Sequence, residues 1–159
     1  MNEKPTVSRA VAAFALAALL MAGPVRAGEH NYPITSEAYR SECGACHVAY
    51  PPQLLPAPAW KRMMGSLSEH FGADASLGPE TAGVIDDYLQ RNAARRAPAG
   101  AEGQSLRITE ARWFRHEHGE ELPASVWRHS AVKSAANCEA CHTRAGQGDY
   151  GERSLRVPR

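Results

Sequence analysis

Apolar residues recur with a helical period in several parts of this 159-residue chain. After Trp60, large apolar side chains follow at three, four, seven and eleven positions, which predicts an amphipathic helix from Ala59 to Phe71. Gly72 marks its expected end. His70 lies on the same stripe, three residues after Leu67, so we expect its imidazole to face the interior.

Caps and prolines predict two more helices in the first half of the chain. Ser36 is a suitable N-cap for a helix from Glu37 to Cys46. Pro79 suits a first helical turn, and the helix that it begins is expected to bury a face made of Ile85, Tyr88 and Leu89.

The second half is expected to hold shorter elements. Thr109 is expected to cap a helix from Glu110 to His118, and Pro123 to begin a short helix through Trp127. Ser134 is expected to cap the turn that follows. The two ends, Gly28 to Pro33 and Gly146 onward, are expected to be a loose arm and an extended tail laid over the surface.

Composition divides the chain into three segments. In residues 1–27, Lys4 and Arg9 precede an apolar run from Ala10 to Ala22, which is typical of a cleaved secretory signal and short for a bilayer span. An uncleaved anchor is the alternative. The stretch from Arg95 to Ser105 is rich in Ala, Gly and Pro. We therefore predict a signal peptide over 1–27 and two domains, 28–97 and 98–159, in a mainly α-helical fold.

All four cysteines fall in two Cys-x-x-Cys-His strings, Cys43-Gly44-Ala45-Cys46-His47 and Cys138-Glu139-Ala140-Cys141-His142. Such a string is the signature of covalent c-type haem attachment, in which two thiols bond to the porphyrin and the next imidazole reaches the iron. On a helical turn the positions i, i+3 and i+4 share one face. The strings therefore predict two c-type haems with His47 and His142 as proximal ligands, and haem attachment outside the cytoplasm agrees with an exported, periplasmic protein.

Five other histidines compete for the far side of the irons: His30, His70, His116, His118 and His129. They outnumber the two methionines that follow the predicted signal, so we expect bis-histidine ligation at both haems. For the first haem we prefer His70, because an unpaired imidazole on an apolar face would be costly. Met63 and Met64 are the alternatives.

The second distal ligand is less narrowly defined by the pattern. His116 and His118 lie on one predicted helix and point about 200° apart, so only one of them can face the haem. His118 shares a side with Ala111 and Phe114. We prefer His118, with His116 second and His129 third.

Longer runs resemble the bacterial dihaem cytochrome c family known as DHC. These runs are Tyr50 to Pro56, His70 to Leu77, Ser134 to His142 with Trp127 upstream, and the closing Val157-Pro158-Arg159. Together they extend over nearly all of the chain after the predicted signal. The resemblance implies a class I cytochrome c-like N-terminal domain and a small irregular C-terminal haem-binding domain.

The resemblance also implies ligands and partners. His70 stands where the family has its first distal ligand, while the stretch from Trp113 to His118 can be aligned in two ways with the family's Trp/Phe-x-basic-x-His segment. Two low-spin bis-histidine haems packed close together are implied. The resemblance further implies that the protein delivers electrons to a small oxygen-binding monohaem cytochrome c and receives them from a membrane cytochrome b.

We therefore predict a monomeric, periplasmic electron-transfer protein and not an enzyme, because iron bound by imidazole on both sides has no position for a small-molecule substrate. The formal net charge of +1 and the lack of a basic face make nucleic acid an unexpected partner. The main alternative is a dihaem enzyme, such as a small peroxidase, with one open haem.

Two further alternatives use the cysteines differently. A structural zinc site would pair two Cys-x-x-Cys units about 15–20 residues apart, whereas 91 residues separate Cys46 from Cys138. Two structural disulfides are a weaker form of the same idea.

Overall fold

The computed structural model describes residues 30–95, 106–119 and 122–159. The helices are α1 (Glu37–Cys43), α2 (Ala57–Met64), α3 (Pro79–Asn92), α4 (Arg112–Gly119) and α5 (Ala124–Trp127). The 3₁₀ turns are Pro52–Leu54, Leu67–Glu69, Ile108–Glu110, Cys138–Ala140, Ala145–Gln147 and Glu152–Ser154. Within these ranges β-pairing is limited to isolated bridges, so the prediction of a mainly α-helical chain is confirmed. The predicted signal peptide and the proposed boundary after residue 97 lie outside the described residues.

Helix α1 begins where the sequence predicts. The Ser36 side chain accepts a hydrogen bond from the Tyr39 amide at 3.2 Å, as an N-cap should. The predicted end at Cys46 is wrong, because the helix stops at Cys43 with Gly44 as its C-cap. A Cβ at Gly44 would collide with the Arg40 carbonyl oxygen, so this end of the helix requires glycine.

Helix α2 is shorter than the apolar stripe. The predicted helix from Ala59 to Phe71 is wrong at both ends, since α2 starts at Ala57 and stops at Met64, where Gly65 donates its amide to the Lys61 carbonyl at 3.1 Å. A separate 3₁₀ turn, Leu67–Glu69, follows. His70 therefore lies at the end of a turn and not on a helix face.

The predicted start and the predicted buried face of helix α3 are both confirmed. It begins at Pro79, and Ile85, Tyr88 and Leu89 are all buried. This face packs on α1 and α2 in one apolar core of the first half, which comprises Ile34, Tyr39, Ala49, Leu55, Ala59, Trp60, Met63, Ile85, Tyr88 and Leu89. None of the helices in the described ranges is long and apolar enough to cross a membrane.

The second half has fewer buried apolar side chains: Ala111, Phe114, Val126, Val132 and Ala145. The predicted helix from Glu110 is wrong in its start, because Ile108–Glu110 forms a 3₁₀ turn and α4 begins only at Arg112. Thr109 lies inside that turn and is not the cap. The short helix predicted after Pro123 is confirmed as α5, which ends at Trp127.

The turn before the second cysteine string also differs from its prediction. Ser134 accepts a hydrogen bond from the Ala136 amide, while Asn137 is the residue directly before the 3₁₀ turn Cys138–Ala140. Ser134 therefore shapes the approach to this turn and does not cap it.

Backbone hydrogen bonds join residues 30–32 to residues 148–150. The Tyr32 amide donates to the Gly148 carbonyl at 2.7 Å, and the Tyr150 amide donates to the His30 carbonyl at 2.8 Å. Gly148 has φ +79°, and a Cβ there would collide with the Tyr32 carbonyl. The expectation of a loose arm is thus wrong for residues 30–33. The predicted extended tail is also wrong in part, since it folds into the 3₁₀ turns Ala145–Gln147 and Glu152–Ser154.

Candidate functional site

The first thiol pair and His47 lie at the end of α1. Cys43 closes the helix and is half-buried, whereas Cys46 is exposed in the turn that follows. The His47 Nδ1 lies 2.7 Å from the Val48 carbonyl oxygen. Because a carbonyl only accepts, Nδ1 carries the proton, and the Nε2 lone pair is left available to a metal.

His70 faces His47 across a short gap. Their ring centroids are 6.2 Å apart and the ring planes differ by 20°. A tight turn directs His70 here: Phe71 and Gly72 both have positive φ, and the Ala73 amide donates to the His70 carbonyl at 3.1 Å. Burial, together with neighbouring His47, lowers the pKa of the His70 imidazole, which favours the neutral form that binds metals.

The second thiol pair and His142 lie on the 3₁₀ turn Cys138–Ala140 and just after it. The His142 amide donates to the Cys138 carbonyl at 2.8 Å, so the two side chains are one turn apart. The tail covers this turn, since the Arg156 amide donates to the Cys141 carbonyl at 2.8 Å. A bridge between His142 and Leu155 adds to the cover.

His118 lies opposite His142. Their ring centroids are again 6.2 Å apart, with the ring planes at 69°. The His118 Nδ1 is 3.1 Å from the Phe114 carbonyl oxygen, and its ring stacks on the Phe114 ring at 4.1 Å. These two contacts orient the imidazole with Nε2 directed away from α4. His116 is exposed on the same helix.

His129 and His30 belong to neither of the two ring pairs. His129 accepts a hydrogen bond from the Ala131 amide at 3.1 Å and lines a separate cavity of about 830 Å³ beside the C-terminal residues. His30 is exposed, and its Nδ1 lies 3.1 Å from the Tyr32 hydroxyl. Met63 is buried in the core of the first half, and Met64 packs against that core.

The spacing of each imidazole pair fits one metal ion between the rings. A nitrogen–metal bond is about 2.0 Å and the ring centre lies roughly 1.1 Å behind the nitrogen, so two opposed imidazoles on one ion have centres roughly 6.2 Å apart. Both His47–His70 and His118–His142 have this separation.

Some buried polar side-chain atoms have no hydrogen-bond partner within the protein. Within the described residues, the His70 Nδ1, the Trp113 indole nitrogen and the Tyr150 hydroxyl are buried without a hydrogen bond. Buried donors without acceptors indicate a bound group or water. Histidine nitrogens are donors that a haem iron accepts, so the two imidazole pairs fit a haem.

The cysteines do not fit the alternatives. All four lie in the described residues, and none is joined to another in a disulfide. Across the described ranges, no three His, Cys, Asp or Glu side chains are grouped to hold a metal ion.

Sequence reasoning missed the aromatic residues that support the imidazoles. The Tyr50 ring stacks on His47 with centroids 4.7 Å apart, and the Tyr150 ring lies 5.3 Å from His142. Tyr50 follows the first string by three residues, but nothing local distinguishes a tyrosine that stacks on a ligand from one in a loop.

Two Cys-x-x-Cys-His strings, each with its histidine opposite a second imidazole, are typical of c-type cytochromes with two haems. The sequence profile of the DHC family, dihaem cytochrome c, matches residues 39–150. This chain belongs to that dihaem cytochrome c family. Membership implies two c-type haems and a role in haem-based electron transfer.

Solved structures agree with this assignment. Two structures of diheme cytochrome c (DHC) from Rhodobacter sphaeroides are 42% and 40% identical to the chain, with TM-scores of 0.65 and 0.67. The matches cover 74% and 75% of this chain and 99% of each of theirs. A diheme cytochrome type c from Shewanella baltica OS155 is 36% identical with a TM-score of 0.66, over 77% of this chain and 92% of its own. The curated proteins offer no match.

Proposed function

We propose that this protein is a periplasmic electron carrier whose two haem irons are each held between two histidines. His47 and His70 bind one iron, and His142 and His118 bind the other. The observation that carries the proposal is the 6.2 Å separation of the ring centres in both pairs. Cys43 and Cys46 anchor the first haem through thioether bonds, and Cys138 and Cys141 anchor the second.

Each haem, once bound, supplies an iron that alternates between the ferric and ferrous states. His47 with His70, and His118 with His142, would hold the two irons, and an iron held by two imidazoles would leave no position for a substrate. Hydrogen bonds from Nδ1 to the carbonyls of Val48 and Phe114 fix the orientation of His47 and His118 and leave the Nε2 of each ring available to the iron. Since Met/His ligation raises the reduction potential, two histidines as ligands would give each haem a low potential.

Ligand binding and redox titration test this proposal together. The reduced protein is expected to give no carbon monoxide adduct, and an optical titration should show one electron per haem at low potential. A carbon monoxide complex, or a high-spin ferric haem in the native protein, would favour the alternative of a peroxidase-like dihaem enzyme with one open site.

The two sites support a two-domain division. Every residue of the first site lies within 30–95, and every residue of the second lies within 106–159. We propose that 28–97 and 98–159 are the two haem domains of a monomer, with 1–27 a cleaved signal. Periplasmic fractionation and the N-terminal sequence of the exported protein test the location and the cleavage site.

A small oxygen-binding monohaem cytochrome c is the proposed acceptor, and a membrane cytochrome b is the proposed donor. Both follow from the family resemblance. Stopped-flow mixing of the reduced protein with such an oxidised monohaem cytochrome should give second-order electron transfer. A rate no faster than that of an unrelated monohaem cytochrome c would refute this choice of acceptor.

A further inference from the structure

Tyr50 connects the two haem sites. Its ring lies nearly parallel to the His47 imidazole, at 19° with 4.7 Å between centroids. Its hydroxyl donates a 2.7 Å hydrogen bond to the carbonyl of Ala136, 86 residues further along the chain. Ala136 lies two residues before Cys138, the first cysteine of the second string. One side chain thus contacts the proximal histidine of one site and the attachment segment of the other.

The backbone of Tyr50 is itself fixed from the core. The Tyr39 hydroxyl donates to the Tyr50 carbonyl at 2.7 Å, and Tyr39 is 2% exposed in the core of the first half. Tyr50 therefore makes contacts through its carbonyl, its ring and its hydroxyl. These contacts restrict movement of the second cysteine string relative to His47.

We propose that Tyr50 is a positioning residue with two separable roles: its ring shields the His47 imidazole from water, and its hydroxyl fixes the second cysteine string against the first site. This inference rests on the proposed ligation by His47. It assigns a role to a residue outside both haem-attachment strings.

The chemistry of the phenol suits the second role. A tyrosine phenol is a neutral hydrogen-bond donor across the physiological range. The bond is exposed at its Ala136 end, and a protein hydrogen bond contributes about 1 kcal/mol, which corresponds to roughly a five-fold change in a local opening equilibrium.

The ring has a different consequence. Water beside a ligand stabilises the more charged ferric state, and an apolar cover opposes this. Removal of the ring should therefore lower the reduction potential of the haem at His47, whereas loss of the hydroxyl alone should leave this potential nearly unchanged.

Two variants of the haem-loaded protein separate the roles. Tyr50→Phe should raise deuterium uptake in residues 134–138 by roughly five-fold and leave the potential of the His47 haem unchanged. Tyr50→Leu should raise the same uptake and also shift that potential to more negative values. His70→Ala identifies the haem in question, because only its spectrum should change in that variant.

Tyr88→Phe is a matched control. The Tyr88 hydroxyl accepts a hydrogen bond from the Thr35 amide at 3.2 Å, within the first half. Loss of this hydrogen bond should raise deuterium uptake near Thr35. Deuterium uptake at residues 134–138 and the reduction potentials of both haems should stay unchanged.

Three results would overturn the inference: unchanged uptake at 134–138 in Tyr50→Phe, an unchanged potential in Tyr50→Leu, or the same two effects in Tyr88→Phe. If Tyr50→Leu does not take up haem, Tyr50→Met replaces it in the same titration. Failure of the proposed function is distinguishable, because the wild-type protein would then lack the low-spin spectrum of two haems before any variant is made.

Discussion

Replacement of His118 by alanine is the sharpest test of the second haem site. The His118 ring centre is 6.2 Å from that of His142, and the ring stacks on Phe114 at 4.1 Å. His118→Ala removes one of four proposed axial imidazoles, so one of two irons loses its sixth ligand. About half of the low-spin ferric signal should therefore disappear and be replaced by a high-spin signal.

Electron paramagnetic resonance of the ferric protein measures this change, with His116→Ala as the matched control. His116 is on the same helix but exposed, so its variant should keep the full low-spin signal. The alanine at 118 leaves a ring-sized space against Phe114, and imidazole added to the buffer should enter it and restore the signal. Full low-spin intensity in His118→Ala, or its loss in His116→Ala, would refute the assignment.

Further variants test the first site and the fold. His70→Met should raise the potential of one haem in an optical titration, because Met/His ligation raises it; an unchanged titration would exclude His70 as a ligand. Gly148→Ala should lower the melting temperature more than Gly72→Ala, since both have positive φ but only Gly148 packs against backbone; equal losses would contradict this packing argument. Ile85→Ala should cost about 2–5 kcal/mol in chemical unfolding, against less than about 0.5 kcal/mol for exposed Val84→Ala; similar costs would contradict the description of the core.

The predictable parts of the chain are those with strong local signals. Ser36 and Pro79 mark helix starts, because a capping hydroxyl and a proline at a first turn act within a few residues. The two Cys-x-x-Cys-His strings are recognisable from residue type and spacing alone. These features need no knowledge of what packs against them.

Other features depend on helix ends that the apolar periodicity of the sequence does not reveal. The stripe from Trp60 to Phe71 continues through residues where the backbone leaves the helix at Gly65. The orientation of His70 then depends on positive φ at Phe71, a conformation that the sequence does not indicate for a large aromatic residue.

The choice between His118 and His116 depended on which helix face is buried. The pattern favoured the side shared with Ala111 and Phe114, and both of these side chains are buried. The Tyr50–Ala136 hydrogen bond lay beyond sequence reasoning, because it joins residues 86 positions apart through a single hydroxyl.

The intact mass of the denatured native protein tests the central claim most directly. Thioether bonds survive denaturation, so the expected mass is that of the processed polypeptide plus two haems. A mass equal to the bare polypeptide, or to the polypeptide with a single haem, would contradict it.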